Sequence, residues 1–263
     1  MKILFLGDIV GLDAVKLVRA LLPGLRQTES FDLVVANAEN TSGGSGLYPK
    51  DYRHLRSAGI DVVTMGDHIY KKMEIIEVMN AGEPICKPAN YPPEAPGREV
   101  VVGQTASGVP YAVISLMGRT FMRPVDCPFH AATRVLATIS PEVKTIFVDV
   151  HAEATGDKFA LLHHLRGKIS AMVGTHTHVQ TGDEQILADG TAFLSDAGMC
   201  GPHSGVLGRK PERILPTHLN FVPIWFDLAT DDIRLSGCII DTDDATGRAT
   251  NIRRVQYRPP TPA

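Results

Sequence analysis

Tryptophan occurs once, aromatic residues make up only 6% of the chain, and cysteine occurs four times in 263 residues. Cys86, Cys127, Cys200 and Cys238 lie far apart and form no CxxC pair, so they read as neither a zinc knuckle nor a disulfide framework. Reduced thiols in a cytoplasmic protein are the simplest reading. No charge of one sign dominates: the formal net charge is −3, which gives no sign of a nucleic-acid or membrane surface. No run of 18 apolar residues occurs, so no membrane span is expected. At the start, MKILFLGDIVG has only a short apolar run over residues 3–6, closed by Gly7 and Asp8. No small-residue cleavage pattern follows it, and a buried strand is expected there. Internal repeats and low-complexity blocks are also missing.

The chain has the composition of an ordinary globular protein, 44% hydrophobic and 21% charged. Its length can bury a full core, and we expect a single domain over residues 1–263. Short apolar runs alternate with helical patterns. Strands are expected at 2–6, 33–36 and 61–65, with helices at 13–22, 50–58 and 71–80 between and after them. That alternation is the βαβ signature of a largely parallel sheet. Five prolines between residues 84 and 97 mark a connection. Antiparallel strands are expected at 99–102 and 111–116, then a helix at 129–139, a strand at 145–150, a helix at 157–165 and a strand at 171–174. The tail reads as strand and hairpin: 185–195 around Asp189-Gly190, then 221–228 and 234–240. Two mixed sheets packed together with helices outside are the expected architecture.

In residues 173–183, VGTHTHVQTGD, His176 and His178 stand one residue apart where an apolar run ends. In an extended segment such residues project to one face. Protonated imidazoles so placed would repel, whereas neutral imidazole is a common metal ligand. Taken alone, the stretch also fits a pair of solvated loop histidines. The other strands decide between the two. Strand 2–6 runs into Gly7-Asp8, strand 33–36 into Asn37-Ala38-Glu39-Asn40, strand 61–65 into Gly66-Asp67-His68, and strand 145–150 into His151. Asp and Asn often cap the next helix, but histidine is a poor cap, and sites in open α/β sheets form at the carboxyl ends of strands. Carboxylates, an amide oxygen and imidazoles suit Mn, Fe or Zn. The set suffices for two ions sharing one carboxylate, an arrangement that can hold a bridging hydroxide and neutralise a phosphoryl group in flight.

The strings MKILFLGDIVG, VANAENTSGGSGL, VTMGDHIYKK, PANYPPEAPG, GRTFMRPVDCPF, DVHAEATGDK, VGTHTHVQTGDEQIL and LSDAGMCGPHSGVLG occur in this order from residue 1 to about residue 208. They resemble the YmdB-like branch of the calcineurin-type metallophosphoesterases, described as 2',3'-cyclic-nucleotide 2'-phosphodiesterases. The resemblance implies a four-layer α/β/β/α sandwich of two mixed sheets. It implies two divalent transition-metal ions, Fe or Mn ahead of Zn, one on Asp8, Glu39, Asn40 and His178, the other on Asp67, His151, His176 and the bridging Glu39. His68 would protonate the leaving oxygen or clamp the phosphate. The implied partner is a small phosphodiester or cyclic nucleotide, RNA ends included, with no membrane; a homo-oligomer is left open.

This chain departs from the family at two places. The family usually reads Gly-Asn-His where Gly66-Asp67-His68 stands, so the cluster carries one more negative charge. Ile69-Tyr70-Lys71-Lys72 and Leu12-Asp13-Ala14-Val15-Lys16 replace residues that the family tends to carry for substrate contacts. Two functions therefore fit: a phosphodiesterase, or a regulatory or nucleotide-sensing protein that keeps the metal site with little turnover. Among lesser features, Glu153 and Thr155 are expected to start a helix rather than orient a ligand, and Asn90-Tyr91 to line the cleft or brace a turn. Residues 195–202 would form a glycine-rich wall with an inert Cys200. His163, His164, His203, Arg209 and Lys210 are expected at the surface.

Overall fold

The computed structural model describes residues 1–259, so residues 260–263 of the expected domain lie outside the described residues. Strand β1 (Lys2–Leu6) is apolar on both faces, as a strand covered from both sides must be. Ile3 and Phe5 enter one core cluster, Leu4 and Leu6 another. After Gly7 come β2 (Asp8–Ile9), α1 (Gly11–Glu29), β3 (Leu33–Asn37), α2 (Pro49–Ala58), β4 (Val62–Thr64), α3 (Ile75–Asn80) and β5 (Ile85–Cys86). The antiparallel pair β6 (Val100–Gln104) and β7 (Pro110–Met117) follows, then α4 (Pro128–Leu136), β8 (Thr145–His151), α5 (Thr155–Leu165) and β9 (Ala171–Thr175). A short hairpin, β10 (Gln185–Ile186) and β11 (Ala192–Leu194), leads to β12 (Met199–Pro202), α6 (Pro211–Asn220), β13 (Ile233–Thr242) and β14 (Ala249–Tyr257).

The strands form two mixed sheets. The first has the order β2-β12-β13-β1-β3-β4-β5, with β14 paired to β13; the second has the order β10-β11-β9-β8-β7-β6. Between them lies a core that includes Ile3, Phe5, Leu33, Val35, Val113, Phe147 and Val173, with the Phe5 and Phe147 rings 4.9 Å apart. Helices α1 and α2 cover the outer face of the first sheet through Ala14, Val18, Leu22, Tyr52 and Leu55. Helices α4 and α5 cover the second through Ala131, Val135, Leu161 and Leu165. This is the expected four-layer α/β/β/α sandwich of the calcineurin-like fold. Strands β1, β3 and β4 run parallel in one sheet, as do β7, β8 and β9 in the other, so each set points its carboxyl ends one way. Among the described residues no helix is long and apolar enough to cross a membrane.

Some elements differ from the sequence expectation. Helix α1 continues past Pro23 to Glu29. An interior proline removes one amide hydrogen bond, but the last turns are anchored by Arg26. Its Nη1 donates to the Gly59 carbonyl at 2.7 Å and its Nη2 to Asp61 Oδ2 at 2.9 Å. Helix α3 starts only at Ile75, so Lys71 and Lys72 sit in turns and not on a helix face. The expected strand at 221–228 does not form: Pro223 interrupts it, and only Leu228 makes a bridge, to Arg209. Helix α6, with Pro211 in its first turn, was not expected, nor was the edge strand β14. The expected glycine-rich loop at 195–202 contains β12, which pairs parallel with β2 and thereby fixes Asp8.

Candidate metal centre

All eight residues singled out at strand ends converge. Asp8, Glu39, His151 and Asn40 are buried, and Asp67, His68, His176 and His178 reach the same place half-buried. Each acidic anchor is oriented by a backbone amide. Asp8 Oδ2 accepts from the His176 N–H at 3.0 Å, which leaves Oδ1 facing inward. Glu39 Oε2 accepts from the His68 N–H at 2.9 Å, which leaves Oε1 inward. Close packing is needed for this: a Cβ on Gly66 would meet the His151 ring at 2.2 Å, so only glycine lets Asp67 come alongside that imidazole.

The inward atoms fall into two sets. In one, Asn40 Nδ2 lies 3.3 Å from Asp8 Oδ1, 3.4 Å from Glu39 Oε1 and 3.4 Å from His178 Nε2, and His178 Nε2 lies 3.8 Å from Asp8 Oδ1. In the other, His151 Nε2 lies 3.1 Å from Glu39 Oε1, 3.1 Å from Asp67 Oδ1 and 3.0 Å from His176 Nδ1, with His176 Nδ1 3.7 Å from Asp67 Oδ1. Four ligands placed tetrahedrally about 2.1 Å from a cation stand roughly 3.4 Å apart. The second set has that spacing; in the first, three of the distances run from the Asn40 amide nitrogen, so Asn40 would meet a cation through its oxygen after a half-turn of the amide. Glu39 Oε1 lies beside both sets. Asp67–His151–His176, Asp8–Glu39–His151 and Glu39–Asp67–His68 all satisfy the distances of metal-holding groups. The donors therefore fit cations.

The electrostatics point the same way. Burial works against charge on His151, but the adjoining Glu39 and Asp67 carboxylates outweigh it and hold the imidazole well above its ordinary range. Glu39 and Asp67 would be raised by burial, yet the same pairing draws both below their ordinary range. His176 is pushed down, by burial and by its neighbour His151. A site with this much buried negative charge calls for positive charge at its centre, supplied either by a proton on His151 or by cations.

Sequence reasoning missed the residues behind the cluster. His151 Nδ1 lies 3.0 Å from Thr175 Oγ1, whose own hydrogen goes to Asp149 Oδ1 at 2.7 Å. The Thr175 oxygen must then accept from His151 Nδ1–H, which turns Nε2 toward the carboxylates. Asp149 is itself held by Thr64 Oγ1 at 2.5 Å and Asn37 Nδ2 at 3.1 Å, and burial raises its carboxyl to about 6. An aspartate inside the apolar strand TIFVDVH was the available signal, since a fully buried strand has no other use for it.

His176 and His178 do not converge by strand alternation. Strand β9 ends at Thr175, and both histidines have positive φ, 98° and 66°, a conformation that costs non-glycine residues about 1–3 kcal/mol each. The loop is pinned from below. Asp196 Oδ2 accepts from the Thr177 N–H at 3.2 Å and the Thr177 hydroxyl at 2.8 Å, and its partner Lys158 Nζ, at 2.9 Å, also donates to the Thr175 carbonyl at 3.0 Å. Lys158 and Asp196 are both buried.

The lesser candidates divide. Thr155 begins α5 as expected, but Glu153 Oε2 also stands 3.1 Å from His176 Nε2. Asn90 braces a turn, donating to the Met117 and Asp126 carbonyls. Cys200 is buried, which pushes its thiol well up and leaves it inert. Arg209, expected at the surface, is half-buried in a cleft of about 400 Å³ above the cluster and donates to the Gly44 carbonyl at 2.6 Å.

A four-layer sandwich with carboxylates and imidazoles gathered at facing strand ends defines a metal-binding protein of the calcineurin-like fold. The chain belongs to the YmdB-like protein family, whose model matches residues 4–255. It is 41% identical over 255 residues to a 2',3'-cyclic-nucleotide 2'-phosphodiesterase of Bacillus subtilis, covering 97% of this chain and 96% of that one. A crystal structure of a hypothetical protein from Thermus thermophilus superimposes with TM-score 0.93 at 36% identity, covering 99% of this chain and all of that one. A structure described as a novel phosphatase from Mycoplasma pneumoniae superimposes with TM-score 0.91 at 28% identity, covering 98% and 93%.

The buried pair under the histidine loop gives a test. Asp196→Asn leaves the Lys158 ammonium buried without a counter-charge and should cost about 3–5 kcal/mol in urea unfolding. Adding Lys158→Met should recover part of that loss. A double variant no more stable than Asp196→Asn alone would show that the ion pair is not what holds the loop.

Proposed function

We propose that the protein is a dinuclear metal-dependent phosphodiesterase acting on 2',3'-cyclic nucleotides, with residues 1–263 working as one catalytic unit. The observation that carries this reading is Glu39 Oε1, shared by two sets of donors at metal-ligand spacing. The name of the Bacillus relative supports the substrate class. Asp8, Asn40 and His178 would hold one ion, Asp67, His151 and His176 the other, and Glu39 both. The donor set has carboxylates, an amide and imidazoles but no thiolate, which suits Fe or Mn, with Zn as the further candidate. Four unpaired cysteines suit a reducing, cytoplasmic setting.

When bound, two divalent ions supply positive charge for the phosphoryl group and acidify the attacking water. The chain's own residues do the rest. Water adds to phosphorus, the bond from phosphorus to the 2'-oxygen breaks, and the departing oxygen needs a proton to become the 2'-hydroxyl of a nucleoside 3'-phosphate. His68 would give that proton. Its Nδ1 lies 2.7 Å from Asn40 Oδ1. A half-turn of the Asn40 amide would exchange its near-isosteric ends, leaving the oxygen to hold a cation and turning the NH2 to His68 Nδ1. The His68 proton is then confined to Nε2, an atom whose near neighbour is Asp67 Oδ2 at 3.7 Å. Orienting His68 and holding its proton on the correct nitrogen would be Asn40's second task.

The first test is metal content. The purified or Mn-reconstituted protein should carry close to two ions per chain, and Glu39→Gln should lose both together, as read by elemental analysis. Retention of two ions in Glu39→Gln would remove the bridging assignment. His68→Ala should keep its metal but slow hydrolysis of 2',3'-cAMP on the order of 10²–10⁴. It should slow bis-p-nitrophenyl phosphate less, because nitrophenolate leaves without a proton. Equal losses on both substrates would make His68 a phosphate clamp.

Asp67→Asn restores the residue the family usually carries. Two ions bring four positive charges; Asp8 and Glu39 remove two and Asp67 a third, so the substitution leaves the cluster more positive. At saturating metal, with occupancy measured alongside, activity should rise and the acidic limb of the pH profile should move to lower pH. An unchanged rate and profile in the fully loaded variant would show that charge at this position does not set activity.

A further inference from the structure

The cleft above the cluster has two unlike walls. One carries Glu39, Asn40, His68, His176 and His178; the other presents Val206, Leu207, Ile214 and Phe226, with Arg209 and His218 among them. Phosphate, ribose hydroxyls and water are all polar, so hydrolysis of a phosphodiester gives no reason for an apolar wall. Apolar and aromatic side chains beside a few convergent polar groups are instead what an organic ligand needs, and about 400 Å³ lies in the range of small-molecule sites. The wall belongs to the segment between β12 and β13, outside the strands that carry the metal-type residues. Phe226 is 44% exposed, so its ring is anchored yet has a free face. Arg209 is held in place by its bond to the Gly44 carbonyl and lines the cleft with the apolar residues.

We infer that this wall is a nucleobase subsite and that Phe226 is its specificity-determining residue. The inference rests on the phosphodiester reading above, which puts the phosphate at the cluster. A base on the same ribose then has the facing wall within reach, with its ring against Phe226 and its edge over Leu207 and Ile214. Arg209 supplies positive charge beside the phosphate.

The test is the affinity of the full-length, Mn-loaded chain for 3'-AMP and for ribose 3-phosphate, which carries the phosphate without the base. Calorimetry would be run on the native protein, Phe226→Ala and Phe226→Tyr, with metal content and hydrolysis of 2',3'-cAMP and of bis-p-nitrophenyl phosphate measured on each. Loss of one stacked base is worth on the order of tenfold in affinity. The native protein should prefer 3'-AMP by at least about that factor, Phe226→Ala should remove the preference, and Phe226→Tyr, which keeps the ring, should retain it. Equal affinity for the two ligands in the native protein, or a preference that survives Phe226→Ala, would overturn the subsite even if hydrolysis proceeds. A preference that depends on the ring in a protein that hydrolyses neither substrate would support the subsite and sink the hydrolase reading instead. Because Phe226 is already partly exposed, truncating it opens no core cavity, and unchanged metal content checks that the fold is intact.

Discussion

The structure is organised around negative charge buried at the facing ends of two parallel strand sets. Asp8 and Glu39 are fully buried and Asp67 stands beside them, at a depth where an unpaired carboxylate is costly. Nothing in an apolar sandwich core can stabilise three carboxylates, so they must share positive charge at their centre. His151, caught between Glu39 and Asp67 and held well above its ordinary range, is the protein's own response to that demand. Metal ions answer it more fully. The same constraint explains why Asp8 and Glu39 are anchored on backbone amides and not on arginine or lysine: a side-chain cation at that depth would compete with a bound cation.

Holding the centre requires support that is itself polar and buried. Two networks provide it without reaching the cleft. Asp149, Thr64, Asn37 and Thr175 set the ring of His151 from behind. Lys158 and Asp196 hold the loop that carries His176 and His178. The strained backbone of those histidines persists because the loop is over-determined, tied to Asp8 through the His176 amide and to Asp196 through Thr177. Each network lies between a sheet and its neighbouring element, so the packing of the sandwich and the geometry of the centre are a single problem.

The cleft divides its tasks between kinds of structure. Its metal-type wall stands on the ends of β3, β4 and β9, where core packing on both faces leaves little freedom. Its apolar wall comes from the segment around α6, which buries Ile214 and bonds Arg209 to the Gly44 carbonyl while leaving Phe221 and Trp225 almost fully exposed. A rigid frame on one side and a less constrained connecting segment on the other is a usual arrangement of clefts in α/β proteins.

Strand alternation, helix periodicity and strand-end chemistry are local, and they were legible: the apolar runs that became β1, β3, β4, β8 and β9, and the eight residues that follow or end them. The family strings carried the four-layer arrangement that those local patterns could not. Other features depended on partners distant in the chain. Helix α1 passes Pro23 because Arg26 meets Asp61, and β14 exists because β13 offers it an edge, whereas residues 221–228 form only the Leu228 bridge to Arg209. The pattern VGTHTHV correctly placed His176 and His178 together but for the wrong reason, since positive φ on each residue, and not alternation, aims them. Arg209 looked like a surface residue because its contact, the Gly44 carbonyl, lies 165 positions away. Sequence by itself determined which chemistry is present and near which strand ends. Only the tertiary structure decided how close the donors come and what holds them from behind, because that depends on distances of a few ångströms between atoms that folding alone brings together.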